Sequence, residues 1–529
     1  MYKRSLIIIL SLALLISCRR EPGFPSYDTD LLFPLLKSEI DISNILPDSI
    51  LGTNPDNSLV LNYNTNFYSL TVDSLFEIPD TTINYGYIVP FGSIIVSPGQ
   101  DLLNVTDQNQ YQINGVELTR VIVKTGYIKA EINNTVNKRM RVVFTIPDAI
   151  KNSQPFSKTV IVPAAVGANP GILSDTFHLD GYDIDLRGPN NNSYNTIVFN
   201  TLGEVDPTEI GTDEVFAGEG IVMDLSFLDV VPYYARGYFG TGLYPIGPDS
   251  SSFDLFKKIT SGVLLLEDAT ATLKLTNYVG VDSRTKIMEL TSVNTNSGNA
   301  VSLNHTIINT NINLNRAVDY SGTVAPSIYS VTLNTANSNF KAMLENLPDK
   351  FRYQLETEIN PMGNISGGGD FVYYGKGLHA NLDLNIPLSL AAGNLTMVDT
   401  VPFSALDPET NHINYGNLIL YAENGFPFDC TIKLRMLDAN MDVIGELMPT
   451  ISTIDEAPLG TNNIVTQPRM TKLIIPLSEN MISQLERTKN LRLSVVFNTG
   501  NYPDYIKIYS TYKIAVQIVG DINYTVTGN

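Results

Sequence analysis

The side chains able to do chemistry in this 529-residue chain are few and scattered. Asp180, Asp183 and Asp185 form its densest carboxylate group. Asp183 and Asp185 share one face of a strand, where they could meet a hard cation such as calcium. Their order does not follow an EF-hand loop, and a solvated strand face accounts for them more simply. The four histidines, His178, His305, His379 and His412, lie outside helical or hairpin spacing of one another, so they compose no zinc site. There is no Gly-x-Ser-x-Gly elbow, no His-Glu-x-x-His and no phosphate loop ending in Gly-Lys-Ser/Thr. Ser338 and Lys341 make Ser-x-x-Lys, but Lys124-Thr125-Gly126 precedes them and no Ser-Asp-Asn stands between. Ser338 serves better as a helix cap. Gly367, Gly368, Gly369 and Asp370 make a flexible loop without a ligand pattern. These absences predict a non-enzymatic protein with no metal and no cofactor.

Aromatic residues offer a second kind of chemistry. Sugar rings stack on flat aromatic faces, for which Trp is the strongest residue, and this chain has none. Its 27 tyrosines could substitute, with Tyr233, Tyr234, Tyr238 and Tyr244, or Tyr373 and Tyr374, as the best clusters. At strand spacing a Tyr is more often a half-buried sheet residue. The glycines at 237, 240, 242 and 247 interleave with Tyr238, Phe239 and Tyr244, which suggests a β-turn or barrel corner.

The remaining reactive group is Cys18. Lys3 and Arg4 supply a charged start, residues 6–16 a short apolar stretch, and Leu15, Ile16, Ser17 and Cys18 a cleavage site. The apolar run is too short to span a bilayer. This pattern resembles the lipobox of bacterial lipoproteins, in which the equivalent Cys is diacylated on sulfur and then acylated on its new α-amine. The resemblance implies a signal peptide over 1–17 and a triacylated Cys18 that tethers the chain durably to a membrane. Arg19 is not the Asp that retains lipoproteins at the inner membrane, which implies the outer membrane. Arg19, Arg20 and Glu21 match in part the basic-then-acidic signal of Bacteroidota surface lipoproteins, which implies the cell surface.

Composition bounds the rest. The formal charge is −20, and loss of Lys3 and Arg4 with the signal peptide makes it −22. Such an acidic surface repels phosphate backbones, so nucleic acid is excluded as a partner and the acidity serves solubility. With Cys18 lipidated, Cys430 stands alone, which rules out a disulfide framework. Cys430 falls in an apparent strand over 428–436 and reads as a small core residue.

Beyond residue 45 the chain is dense in Val, Ile, Thr, Tyr and Phe in short alternating runs broken by Asn, Gly, Asp and Pro. The pattern predicts an all-β architecture of tandem β-sandwich-like domains with a few short helices. The runs also repeat. Ile128, Ala130 and Ile132 precede Asn134; Ala271, Leu273 and Leu275 precede Asn277; Leu418, Leu420 and Ala422 precede Asn424. In each copy the inward residues lie two, four and six positions before the Asn, and a second alternating strand follows. Phe340, Met343, Leu344 and Leu347 predict a helix capped by Ser338 or Asn339, and Leu477, Met481 and Leu485 a second. Residues 225–231 read as a degenerate first helix. Hairpin and helix recurring in one order predict an internal triplication. The domains expected are a lipidated tether over 18–45 and β-rich units over 46–245, 246–400 and 401–529. The Pro and Gly cluster over 163–171 offers a break that would divide the first unit into two subdomains.

The alternating strand ending in Asn resembles the late-embryogenesis-abundant type 2 sandwich and, more loosely, tubular lipid-binding domains. Asn424-Gly425-Phe426-Pro427 comes nearest to that family's Asn-Pro turn, whereas Asn134 and Asn277 lack the Pro. The whole chain resembles large Bacteroidota outer-membrane lipoproteins. The expected role is a binding or scaffold subunit docked on an outer-membrane barrel protein complex. The alternatives are a glycan-binding accessory of a nutrient-uptake system, and a carrier of lipid or another apolar ligand.

Overall fold

A computed structural model describes residues 26–42, 48–71, 78–403 and 411–527; Cys18 and the expected signal peptide lie outside them. The fold is all-β, 64% strand and 5% helix. Period-two patterning builds it, as in Thr270–Asn277, where Ala271, Leu273 and Leu275 are buried and alternate with half-buried polar residues. The two expected helices form at Phe340–Glu345 and Glu479–Arg487. The Ser478 hydroxyl accepts the Met481 N–H at 3.3 Å, as an N-cap should. At the first helix Asn339 holds the cap position without a side-chain bond, and Ser338 accepts the Phe340 N–H at 3.3 Å. Residues 225–231 are not a helix. They lie inside the strand Gly220–Tyr238, because Leu225 and Phe227 bury one face and the strand is hydrogen-bonded on both sides.

The strands form three sandwiches of one topology. In the first, one sheet runs Thr81–Ile88, Gly220–Tyr238, Glu117–Asn134, Gly171–His178. The facing sheet runs Asp101–Gln110, Thr196–Val205, Met140–Lys151, Gln154–Val162. The second sandwich repeats the first sheet with Leu59–Thr71, Gly377–Pro387, Thr270–Asn277, Ser327–Leu333. The third repeats it with Ser26–Asp41, Lys513–Thr527, Asn411–Asn424, Arg469–Leu477. Their facing sheets centre on Lys350–Ile359 with Ser283–Asn294, and on Asn490–Thr499 with Phe428–Leu437.

The sandwiches nest along the chain rather than following one another. The leading strand of the third sandwich is first in sequence, that of the second comes next, and that of the first comes last. The linear partition expected from sequence is therefore corrected. Residues 26–41 are a structural strand, not tether, and residues 59–71 belong with 270–387 rather than with the unit 46–245. Ser389–Pro402 runs from the second sandwich into the third: Ala392 and Leu395 lie in the second core, and residues 395–402 pair with Asn490–Thr499. The segment 163–171 is a loop within the first sandwich, not a subdomain break. Sequence composition cannot reveal this, because a strand's partner depends on long-range pairing.

The three aligned asparagines hold one geometry. All three are buried. Their Oδ1 atoms accept the N–H of Val136, Val279 and Phe426, two residues on, at 2.8–2.9 Å. Their Nδ2 groups donate to the carbonyls of Lys138, Val281 and Phe428, four residues on, and to those of Pro163, Asn315 and Asp455. Two residues after each of those last acceptors stands a buried alanine, Ala165, Ala317 or Ala457, whose N–H bonds back to Val136, Val279 or Phe426. The register also recurs, with Asn134, Asn277 and Asn424 opposite Gly171, Ser327 and Arg469.

Each asparagine marks one end of its sandwich. Val279 and Val281, beside Asn277, join the buried core of the first sandwich. Phe426 and Phe428, beside Asn424, pack on the core of the second. The sandwiches thus stack head to tail. The Asn134 end lies at one extremity, and the pair Ser26–Thr527 at the other.

Candidate functional site

The junction of the first two sandwiches carries the densest group of exposed aromatic and charged side chains that the sequence singled out. Asp370–Tyr373, from the second sandwich, pairs with residues 234–237 of the first and sets Tyr373 opposite Tyr234. The backbone N–H of Tyr374 donates to the Tyr233 carbonyl at 2.8 Å. The two tyrosine clusters, 139 residues apart, therefore become one patch. The Tyr234 and Tyr373 ring centroids lie 4.7 Å apart, and Tyr233 meets Tyr373 edge-on at 6.0 Å. Tyr233 and Tyr374 remain exposed at the surface. The Lys124 ammonium sits over the Tyr374 ring, and the Arg120 guanidinium lies 5.6 Å from the Tyr234 ring. Tyr238 and Tyr244 do not join the patch; both are half-buried, and Tyr244 packs on the first core.

Burial sets the electrostatics. It raises the Tyr373 hydroxyl well above the ordinary phenol range, helped by the bond to Asp319 Oδ2 at 3.0 Å. Burial likewise raises Tyr234, with Asp319 adding to it. These phenols stay neutral donors and acceptors. Beneath them Asp370 is fully buried; its Oδ2 accepts from Asn360 Nδ2 at 2.8 Å and from the Phe239 N–H at 3.3 Å. Asn360 also donates to the Gly240 carbonyl at 2.9 Å, and Arg316 approaches Asp370 Oδ1 at 3.4 Å while holding Asp282. The loop read as flexible from its three glycines therefore leads into an anchor between sandwiches. Gly237 is required here, since a Cβ would lie 2.1 Å from the Glu117 carbonyl oxygen. The patch can stack a flat, weakly polar ring and offer hydroxyl, guanidinium and carboxylate groups around it.

The other singled-out residues are spent structurally. Arg120 holds Asp183 through two bonds of 2.8 and 2.7 Å, and Arg187 holds Asp185, pulling that carboxyl below its usual range. Asp180 accepts the Gly126 N–H. Among the described residues no three His, Cys, Asp or Glu side chains gather as a metal site. His178 is exposed, the His305 Nδ1 accepts the Ile307 N–H, and His379 bonds Ser69. The side chain of His412 lies outside the described residues. Lys341 faces Glu345 and Tyr505 rather than acting on Ser338. Cys430 is buried in its strand, and burial pushes its thiol up to about 12.

Two cavities bear on ligand binding. An apolar one inside the first sandwich, beside Tyr111, Leu118 and Phe227, has about 50 Å³, room for only a water or two. A more open groove of about 440 Å³ between the second and third sandwiches is lined by Asp56, Glu267, Pro387 and Lys507.

No family model and no curated protein matches this chain. Among solved structures, one of a protein from Parabacteroides distasonis described as secreted covers 95% of this chain and 100% of its own length, at 10% identity and a TM-score of 0.24. Infectious bursal disease virus particles align over 92% of this chain and 83% of theirs, at 10% identity and a TM-score of 0.12. Likeness at that level carries no argument about fold or function.

Proposed function

We propose that this chain is a non-enzymatic, lipid-anchored outer-membrane protein, exposed on the cell surface, that acts as a binding or scaffold subunit of an outer-membrane protein complex. The observation that carries this reading is the pairing of Ser26 with Thr527 at the extremity of the third sandwich. Cys18 is eight residues from Ser26, a reach of about 25–30 Å when extended. A lipid on Cys18 holds the third sandwich beside the membrane and carries the first away from it. The stack is on the order of 100 Å long by strand rise. Acylation at two or more chains makes such a tether durable.

The test is recovery of the native protein from its own outer membrane in mild detergent, with Cys18→Ala as the control. The expected result is stoichiometric co-recovery of a barrel protein, and loss of both palmitate-analogue labelling and membrane association in the variant. Recovery of the chain alone overturns the scaffold role. Labelling that survives in the variant overturns the anchor.

A second reading, glycan binding, rests on the tyrosine patch between the first two sandwiches, where Tyr233 and Tyr374 present exposed rings beside Tyr373, Lys124 and Asp319. Titration with neutral oligosaccharides separates it from the first, since only this reading expects saturable binding lost in Tyr233→Ala. The apolar cavity of the first sandwich, at about 50 Å³, is far smaller than an acyl chain, and the groove of about 440 Å³ is open and lined by Asp56, Glu267 and Lys507, which does not favour carriage of a lipid.

A further inference from the structure

The asparagine ends of the second and third sandwiches are each covered by the preceding sandwich, but the Asn134 end of the first has no neighbouring sandwich among the described residues. It is closed instead by a two-stranded ribbon, Ser93–Val96 with Asp213–Phe216. The ribbon buries Val96 and Val215 against the core and turns Ile95 and Phe216 outward. Three turns at the same end carry an apolar residue at the apex followed by a glycine in the left-handed region. They are Phe91-Gly92, Val166-Gly167 and Ile210-Gly211, with φ of 68°, 61° and 74°. Phe91 and Ile210 are 82% and 87% exposed, among the most exposed large apolar side chains of the described residues. Apolar surface gathered on rigid turns in this way marks a contact site.

The charges around it narrow the occupant. Lys138 and Arg139 are taken up by Asp206 and Glu209. Asp213, Glu214 and Glu219, which flank Ile95 and Phe216, make no ion pair among the described residues. An acidic rim disfavours an anionic lipid surface, and it disfavours a second copy meeting tip to tip. Ser26 lies at the opposite extremity, so a membrane reached through the proposed Cys18 anchor sits away from this end.

We infer that the Asn134 end docks a different protein, whose contact surface is apolar at the centre and lysine- or arginine-rich at the rim. The inference uses the membrane-distal orientation proposed above but concerns a separate surface. The experiment places a photo-crosslinking amino acid at position 91 or 210 of the full chain in its native cell, with position 328 on the second sandwich as control. The expected result is one protein adduct of defined mass from 91 and 210 and none from 328. Mapping should place the crosslinked partner residue beside Lys or Arg. In the double variant Glu214→Lys, Glu219→Lys the adduct should fall several-fold while the abundance and membrane association of the chain stay unchanged. Four results overturn the inference: no adduct, an adduct of twice the chain mass, label found only on lipid, or an adduct indifferent to charge reversal. Loss of the anchor with a retained tip adduct would instead strike the orientation alone.

Discussion

Asn134 and Asn424, 290 residues apart, make the same three hydrogen bonds to the same relative positions, as does Asn277 between them. Each side chain satisfies two carbonyls and one N–H that strand ladders leave over where a hairpin turns. The asparagine is therefore a buried lock, with both amide hydrogens donated and its oxygen accepting.

Asn277→Ala should destabilise the junction of the first and second sandwiches. It strands two carbonyls and one N–H in a site closed to water, at about 1–3 kcal/mol for each unsatisfied group. Hydrogen exchange should accelerate at Val279 and Ala317, with the Asn134 hairpin unchanged. Asn277→Asp should cost at least as much, because a carboxylate would then face two carbonyl oxygens. Equal protection in both variants would show that the lock is dispensable.

Removal of residues 26–41 should unravel the third sandwich and spare the first. The strand Ser26–Asp41 covers the edge of Lys513–Thr527 along fifteen residue pairs. Its loss leaves an unpaired edge open to proteolysis or aggregation. Limited proteolysis should cut first within 411–527 and leave a resistant core that contains 78–238. A third sandwich resistant to the same digestion would refute the nesting.

Asp370→Ala should loosen the first junction. It leaves Asn360 and the Phe239 N–H without the Asp370 acceptor in a buried site, while Arg316 keeps only Asp282. Each buried donor left unsatisfied costs about 1–3 kcal/mol. Small-angle scattering should show broader interdomain bending, and Tyr373 fluorescence should report greater solvent access.

Cys430 should resist thiol reagents at pH 8 until the third sandwich unfolds. Burial raises its folded value to about 12 from about 9. The stability from keeping the thiol neutral is present in full below pH 9 and declines as pH rises from 9 towards 12. Cys430→Ser should flatten that alkaline loss in a denaturation series, and rapid labelling of the native chain would contradict the burial.

Much of the local structure was legible because it depends on near neighbours. The hairpins at Asn134, Asn277 and Asn424 show as alternating apolar residues, and the spacing of Leu477, Met481 and Leu485 marks the second helix. The degenerate helix at 225–231 misled because Leu225 and Phe227, two apart, serve a strand face, while Leu228 fits a helical stripe equally well. The alanines at 165, 317 and 457 were invisible. They stand 31, 40 and 33 residues after their asparagines, and a single small residue at variable spacing gives no periodic signal.

The tyrosine patch was half legible. Tyr233-Tyr234 and Tyr373-Tyr374 were each conspicuous, but only the pairing of Asp370–Tyr373 with the first sandwich joined them.

By itself the sequence determined the all-β class, the repeated hairpins and the two helices. Those follow from side-chain period and capping residues, which act within a few residues of chain. The tertiary structure alone decided that the strands nest, that Ser26 meets Thr527, and that the Asn134 end stands open at the far extremity. Those depend on which sheet edge each strand joins, and edges offer nearly equivalent backbone hydrogen bonds. The choice falls to the summed packing of side chains hundreds of residues apart.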